Sequence, residues 1–220
     1  MTEPLLTPLW QDFDATWYRT AYKDVLGEAL SLPDEGLQHW YETQGAFSGH
    51  SPNPYFDEEW YRRNCSDALE GISNQTYRSG FEHYCNRGYK TQSPHYLFSE
   101  RYYIKQGENL TPSALMQQGY KNGYDHYLRV GAAQGVRGHL FFNPDMYQQH
   151  RAADDGLEAL APFCHFLLAD RSLPDRVALS EYFDPIWYAK AVPQSHTMVE
   201  YGYVPNLLYF FLSDFTPNGF

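Results

Sequence analysis

The chain has 220 residues, with Lys+Arg 16 against Asp+Glu 27 and a net charge of −11. That length fits one or two ordinary domains or a single repeat array, and the acidic balance excludes nucleic acid and anionic membrane surfaces as main partners, because both are gripped through basic surface. No stretch reaches the roughly 18 apolar residues of a membrane span, Met1-Thr2-Glu3-Pro4 lacks the basic and apolar regions of a signal peptide, and three cysteines do not suggest a disulfide framework, so a reducing cytoplasm is the expected setting.

Residues 1–12 read as a leader. From there the chain repeats. Phe13-Asp14-x-x-Trp17-Tyr18 returns as Phe56-Asp57-x-x-Trp60-Tyr61, Phe98-Ser99-x-x-Tyr102-Tyr103, Phe142-Asn143-x-x-Met146-Tyr147 and Phe183-Asp184-x-x-Trp187-Tyr188. The starts are 43, 42, 44 and 41 residues apart. A fixed period of this length is the signature of a repeat array. We expect one helical repeat domain over 13–220, in units 13–55, 56–97, 98–141, 142–182 and 183–220.

Each motif predicts a helix start. The second residue is always one whose short side-chain oxygen caps a free N–H of the first turn. The Phe before it and the Tyr four positions after it form a hydrophobic staple. Pro144 and Pro185 fall at the first helical position, where proline is favoured. In unit one the first helix is expected over 14–25 and the second around Leu37-x-His39-Trp40-Tyr41, with Gly45 as a C-terminal glycine cap. Unit two repeats the plan over 57–69 and around Phe81-x-His83-Tyr84, ending at Gly88. Unit three adds a helix capped by Thr111 with Pro112 inside it, then Tyr124-x-His126-Tyr127 up to Gly131. Unit four carries the apolar run 157–169 with Phe163-x-His165-Phe166, followed by a link with Asp170, Arg171, Asp175 and Arg176. In unit five the second helix runs from Leu207 to Leu212, with Tyr209 where other units have His. Thr216-Pro217-Asn218-Gly219-Phe220 looks like the start of a sixth unit. The expected fold is all-α, about ten helices in five helical hairpins, stacked as an open solenoid or curled into a compact array.

The units resemble a bacterial repeat found in or beside glycosyltransferases and other surface-polysaccharide biosynthesis proteins. That repeat reads Phe-Asp-x-x-Tyr-Tyr, then Asn-Pro-Asp-Val, a His-Tyr helix and a Gly-Arg-x-Pro link. Tyr22-Lys23-Asp24-Val25 and Gly49-His50-Ser51-Pro52 are similar to the second and last of these segments. The resemblance implies a role in polysaccharide synthesis or export. It supplies no catalytic residues and no cofactor.

Three residue sets are candidates for function. His39, His83, His126 and His165 recur once per unit. As ligands they would sit roughly 10 Å apart on stacked helices, whereas zinc needs donors about 2 Å from one ion, so they are expected to make structural hydrogen bonds to the links or the next cap. Cys164-His165 and His83-x-Cys85 are too close in sequence to face each other on a helix; Cys65 and Cys85 are expected to be buried thiols. Trp17, Trp60, Tyr102 and Trp187 occupy the same motif position and form either inter-repeat core or an aromatic ladder that stacks on a glycan.

Three functions compete. The first is a non-catalytic interaction or scaffold module that docks on a partner enzyme, such as a glycosyltransferase or polysaccharide synthase component. The second is a glycan-binding module that uses the ladder. The third is an enzyme with a cleft between units. No metal and no catalytic residue is assigned. The apolar helix with Tyr209, Phe210 and Phe211 looks bare at the array's end, and is expected to be covered by another protein or a second copy.

Overall fold

The computed structural model describes residues 7–151, 156–169 and 172–215. Each Phe–Tyr motif opens a helix in it. The side chains of Asp14, Asp57, Ser99, Asn143 and Asp184 accept from the N–H of Trp17, Trp60, Tyr102, Met146 and Trp187 at 2.9, 2.9, 3.2, 3.5 and 3.0 Å. The staple rings meet in every unit. Phe13–Tyr18, Phe56–Tyr61, Phe98–Tyr103, Phe142–Tyr147 and Phe183–Tyr188 have centroids 5.0, 5.1, 5.7, 5.4 and 5.3 Å apart. A second bond closes each of the first four units. The backbone N–H of Asp14, Asp57, Ser99 and Asn143 donates to the carbonyl of Pro52, Pro94, Gly138 and Leu179 in the unit's own link.

The fold is all-α, with thirteen α-helices and no strand among the described residues. Unit one holds α1 (Ala15–Ala21) and α2 (Asp34–Trp40), separated by a 3-10 turn at Gly27–Ser31. Unit two holds α3 (Glu58–Asn64), α4 (Ser66–Ser73) and α5 (Gly80–Asn86). Unit three holds α6 (Glu100–Ile104), α7 (Pro112–Gln117) and α8 (Gly123–His126). Unit four shows α9 (Pro144–His150) and α10 (Pro162–Leu168); unit five shows α11 (Pro185–Ala191), α12 (Pro193–Glu200) and α13 (Leu207–Phe215).

The hairpin expectation is therefore corrected. Units two and five are helical triplets, as is unit three, whose extra helix at Pro112 was expected. The single helix expected over 57–69 breaks at buried Cys65, which is extended (φ −124, ψ 96) and ends α3 while starting α4. Neither Gly nor Pro marks the break. The run 157–169 is helical only from Pro162. The possible sixth start at 216–220, with Asp170 and Arg171, lies outside the described residues.

The closing glycines also have a different cause from the one expected. Gly45, Gly88 and Gly131 do not adopt positive φ. A Cβ on them would lie 2.3, 1.9 and 2.1 Å from the hydroxyls of Tyr18, Tyr61 and Tyr103. Glycine is needed there because the stapled tyrosine fills the space a methyl would take.

The array is compact. Tyr209 of unit five packs on Trp60 of unit two and on Tyr96, at 5.5 and 5.0 Å between centroids. Asn206 Nδ2 donates to Tyr96 Oη at 3.0 Å. Leu207, Leu208, Tyr209 and Leu212 are buried within the chain, and Phe210 and Phe211 are half-buried. The apolar end is thus covered by the protein's own units, which removes the reason to expect self-association through it. One core runs from Trp10 through units two to five. Unit one has its own, built on Tyr18, Leu26, Leu37 and Tyr41.

Candidate functional site

The recurring histidines are tied into the repeat itself. Tyr61, Tyr103 and Tyr147 place their hydroxyls 2.9, 2.7 and 2.6 Å from Nδ1 of His83, His126 and His165 in the same unit. The expected bonds were to the link or the next cap; the partner these pairs show is the unit's own stapled tyrosine. His39 is exposed. Counting back from Gly45, Gly88 and Gly131 puts Trp40, not His39, at the histidine position. The imidazole is supplied instead by His50 in the link. Its Nδ1 is 2.6 Å from Tyr18 Oη, and its ring lies flat on Tyr22 at 4.0 Å. A similar slip occurs in unit five. Phe211 packs on Phe183 and Tyr188 as Tyr84 packs on Phe56 and Tyr61. Phe210 therefore takes the histidine position, and Tyr209 is one residue off. Burial holds His50, His83 and His126 below the ordinary imidazole range. They serve as neutral hydrogen-bond partners. No cluster of potential metal ligands occurs among the described residues.

The aromatic ladder does not form one surface. Trp60 is 7% exposed and Trp187 is 66% exposed. Trp17 and Tyr102 are intermediate, and Trp17 leans edge-on against Tyr22. The same motif position is core in unit two and solvent-facing in unit five, because α13 covers only the former. Two of the three thiols are held protonated by burial. Burial pushes Cys85 up to about 12 and Cys164 up to about 11, so neither is a thiolate near neutral pH. All three cysteines are free.

Two features escape the motif reading. Glu58 and Glu100, the first residues of α3 and α6, are buried. Their carboxylates accept from the first N–H groups of the unit's third helix. Glu58 takes Gly80 and Phe81 at 2.6 and 2.8 Å; Glu100 takes Gly123 and Tyr124 at 2.6 and 3.0 Å. Arg62 pairs with Glu58. The matching residue in unit three is Ile104, and burial raises Glu100 to about 7. The sequence signal was an acid in the first turn, read only as complementing the helix dipole. The second feature is a buried polar residue three positions before each later Phe. Asn53, His95, His139 and Ser180 each accept from the N–H two residues on. They shape the turn into the next unit.

Glu100 sets a pH dependence. Its folded state holds a proton more tightly than the unfolded chain does. The stability it contributes is complete below about pH 4.5, and is lost as pH rises through about 7. The lowered histidines act in the opposite sense, losing stability as pH falls. Comparing wild type with Glu100→Gln cancels them. The expected result is that Glu100→Gln loses less stability than wild type between acid and mildly alkaline buffer, read from urea midpoints. Parallel curves would show that Glu100 does not titrate there.

Two of the clefts on the surface of the first three units combine aromatic and charged walls. One, about 480 Å³, lies between Tyr89, Met116, Tyr120 and Lys121, with Glu100 in its wall. Lys121 Nζ sits 4.7 Å from the Tyr89 ring centroid. The other, about 270 Å³, lies where unit one meets unit two, walled by Phe13, Tyr41, Arg78 and Phe81. Exposed aromatic surface is concentrated elsewhere. Four of the five exposed large aromatics among the described residues, Tyr182, Trp187, Tyr201 and Tyr203, lie within 182–203, at the end of unit four and in unit five; Phe47 is the fifth. No family model, no curated protein and no solved structure matches the chain.

Proposed function

We propose that the chain is a non-catalytic interaction module that docks on a partner protein through unit five. The observation that carries this is the exposure of Ile186, Trp187, Tyr201 and Tyr203, with Tyr182 just before them at the end of unit four, on a protein that buries most of its other aromatics. Exposed aromatics of this kind are enriched at protein interfaces. The repeated residues support the same reading from the other side, since their polar atoms are engaged in caps and Tyr–His pairs. The assignment of the partner to bacterial polysaccharide synthesis or export, as a glycosyltransferase or synthase component, rests on the resemblance of the repeat.

The test is capture from native cells with wild type and with Trp187→Ser/Tyr201→Ser/Tyr203→Ser. The expected result is a polysaccharide-synthesis enzyme held by wild type in excess oligosaccharide and lost from the triple variant, with the melting curve unchanged. Equal capture by both proteins would remove unit five as the docking face. Release by oligosaccharide would favour a glycan-binding module instead.

A further inference from the structure

The cleft of about 480 Å³ lies where unit two meets unit three, and its wall is made of positions at which the repeats stop matching. Tyr89 follows the closing Gly88, at a place filled by the buried Ala46 and Ala132 in units one and three. Its ring stacks on Trp10 at 6.3 Å. It also carries two ammonium groups, with Lys121 Nζ 4.7 Å and Lys90 Nζ 5.8 Å from its centroid. An alanine at this place could hold neither. Lys121 in turn stands where unit two has Arg78. The two backbones act alike, since Arg78 N donates to Glu82 and Lys121 N to Asp125. The side chains do not. The Arg78 guanidinium pairs with Glu82, whereas Asp125 is taken by Arg129. Lys121 is left without a carboxylate. Neither it nor Lys90 joins an ion pair among the described residues, on a chain of net charge −11.

The rest of the wall decides what the two ammoniums could hold. Asn122 gives its Nδ2 to Tyr84 and to the Tyr89 carbonyl, and its Oδ1 accepts from Asp125 N. Both Glu100 oxygens are held by the N–H groups of Gly123 and Tyr124. Those N–H groups open α8 and would otherwise be the ones to receive a phosphate oxygen. The amide and carboxylate that a saccharide's hydroxyls would need are thus engaged. Glu100 does not cancel the two cations, because burial raises it to about 7 and leaves it partly neutral near physiological pH. What remains is the ring of Tyr120, the side chain of Pro112 and Met116, which is 65% exposed, beside two unpaired positive charges. Such walls suit a flat apolar body that ends in one negative group, and the volume is ordinary for a small ligand.

We propose that this cleft binds a small aromatic carboxylate, with its ring against Tyr120 and Met116 and its carboxylate between Lys90 and Lys121. The residues belong to units two and three, so the site does not depend on the docking face of unit five.

The experiment titrates the full chain with benzoate and cinnamate. Benzamide is the uncharged control, acetate the control without a ring, phenyl phosphate the phosphate control and glucuronate the saccharide control. Heat of binding and the Met116 methyl shift are the readouts. The two aromatic carboxylates are expected to bind and to move the Met116 methyl, and every control to bind about tenfold more weakly or not at all. Lys90→Gln/Lys121→Gln is expected to weaken benzoate binding by about tenfold. Met116→Asp places an acid in the wall at an exposed position. It is expected to abolish binding with the melting curve unchanged, which keeps the test decisive if the lysine variant fails to fold. The proposal is overturned if neither aromatic carboxylate binds, if any control binds as tightly as benzoate, or if binding survives Met116→Asp or the double lysine variant unchanged.

Discussion

Trp60→Ala is expected to destabilise the fold by about 4 kcal/mol, the range for deleting a buried Trp ring. Trp187→Ala, at the same position of the motif, is expected to stay within about 0.5 kcal/mol of wild type. The difference comes from what covers each ring. Trp60 lies 6.1 Å from Tyr96 and 5.5 Å from Tyr209, so its loss opens a cavity where unit five meets unit two. Trp187 is mostly in water. Urea unfolding of both variants is the measurement. A stable Trp60→Ala protein would mean that the closure of unit five on unit two contributes little. It would also return Trp60 to the set of candidate contact residues.

Gly88→Ala is the second large effect, at about 3 kcal/mol. The added Cβ would lie 1.9 Å from Tyr61 Oη, 3.2 Å from its Cζ and 3.2 Å from His83 Nδ1. Something must move, and overpacking of this kind typically costs about 1–3 kcal/mol. The Tyr61–His83 hydrogen bond is lost as well, at about 1 kcal/mol. Tyr61→Phe alone is expected to cost about 1 kcal/mol. In Gly88→Ala/Tyr61→Phe the clashing oxygen is gone and the ring carbon that carried it, Cζ, lies 3.2 Å away, a contact small shifts can relieve. The double variant is therefore expected to be more stable than Gly88→Ala, a clear non-additivity in a double-mutant cycle. Additive losses would place the strain elsewhere, in the backbone of the turn.

The helix starts were legible from the amino-acid sequence because capping and stapling are local. An Asp, Asp, Ser, Asn, Asp series beside an invariant Phe–Tyr pair leaves little else for those residues to do. The middle helices were harder. Cys65 breaks α3 from α4 with no Gly or Pro to announce it, and Pro193 begins α12 where a proline can also be taken for a stop. The histidine register was misread in units one and five because His39 and Tyr209 are chemically closer to the pattern than Trp40 and Phe210. Only the distance to the closing glycine, or the ring contacts of Phe211, sets the register.

The contact of Tyr209 with Trp60 changes how the units share their stability. In an open stack each unit touches only its neighbours, and the ends fray independently of the middle. Here the last unit rests on the second, and its Asn206 bonds Tyr96 across 110 residues of chain. The terminal helix thus supports a region early in the sequence. Units two to five share one continuous interior, so a nearest-neighbour sum over repeats would leave out the term that joins last to second. Unit one, with an interior of its own, stands beside that closed body and meets it at the cleft of about 270 Å³.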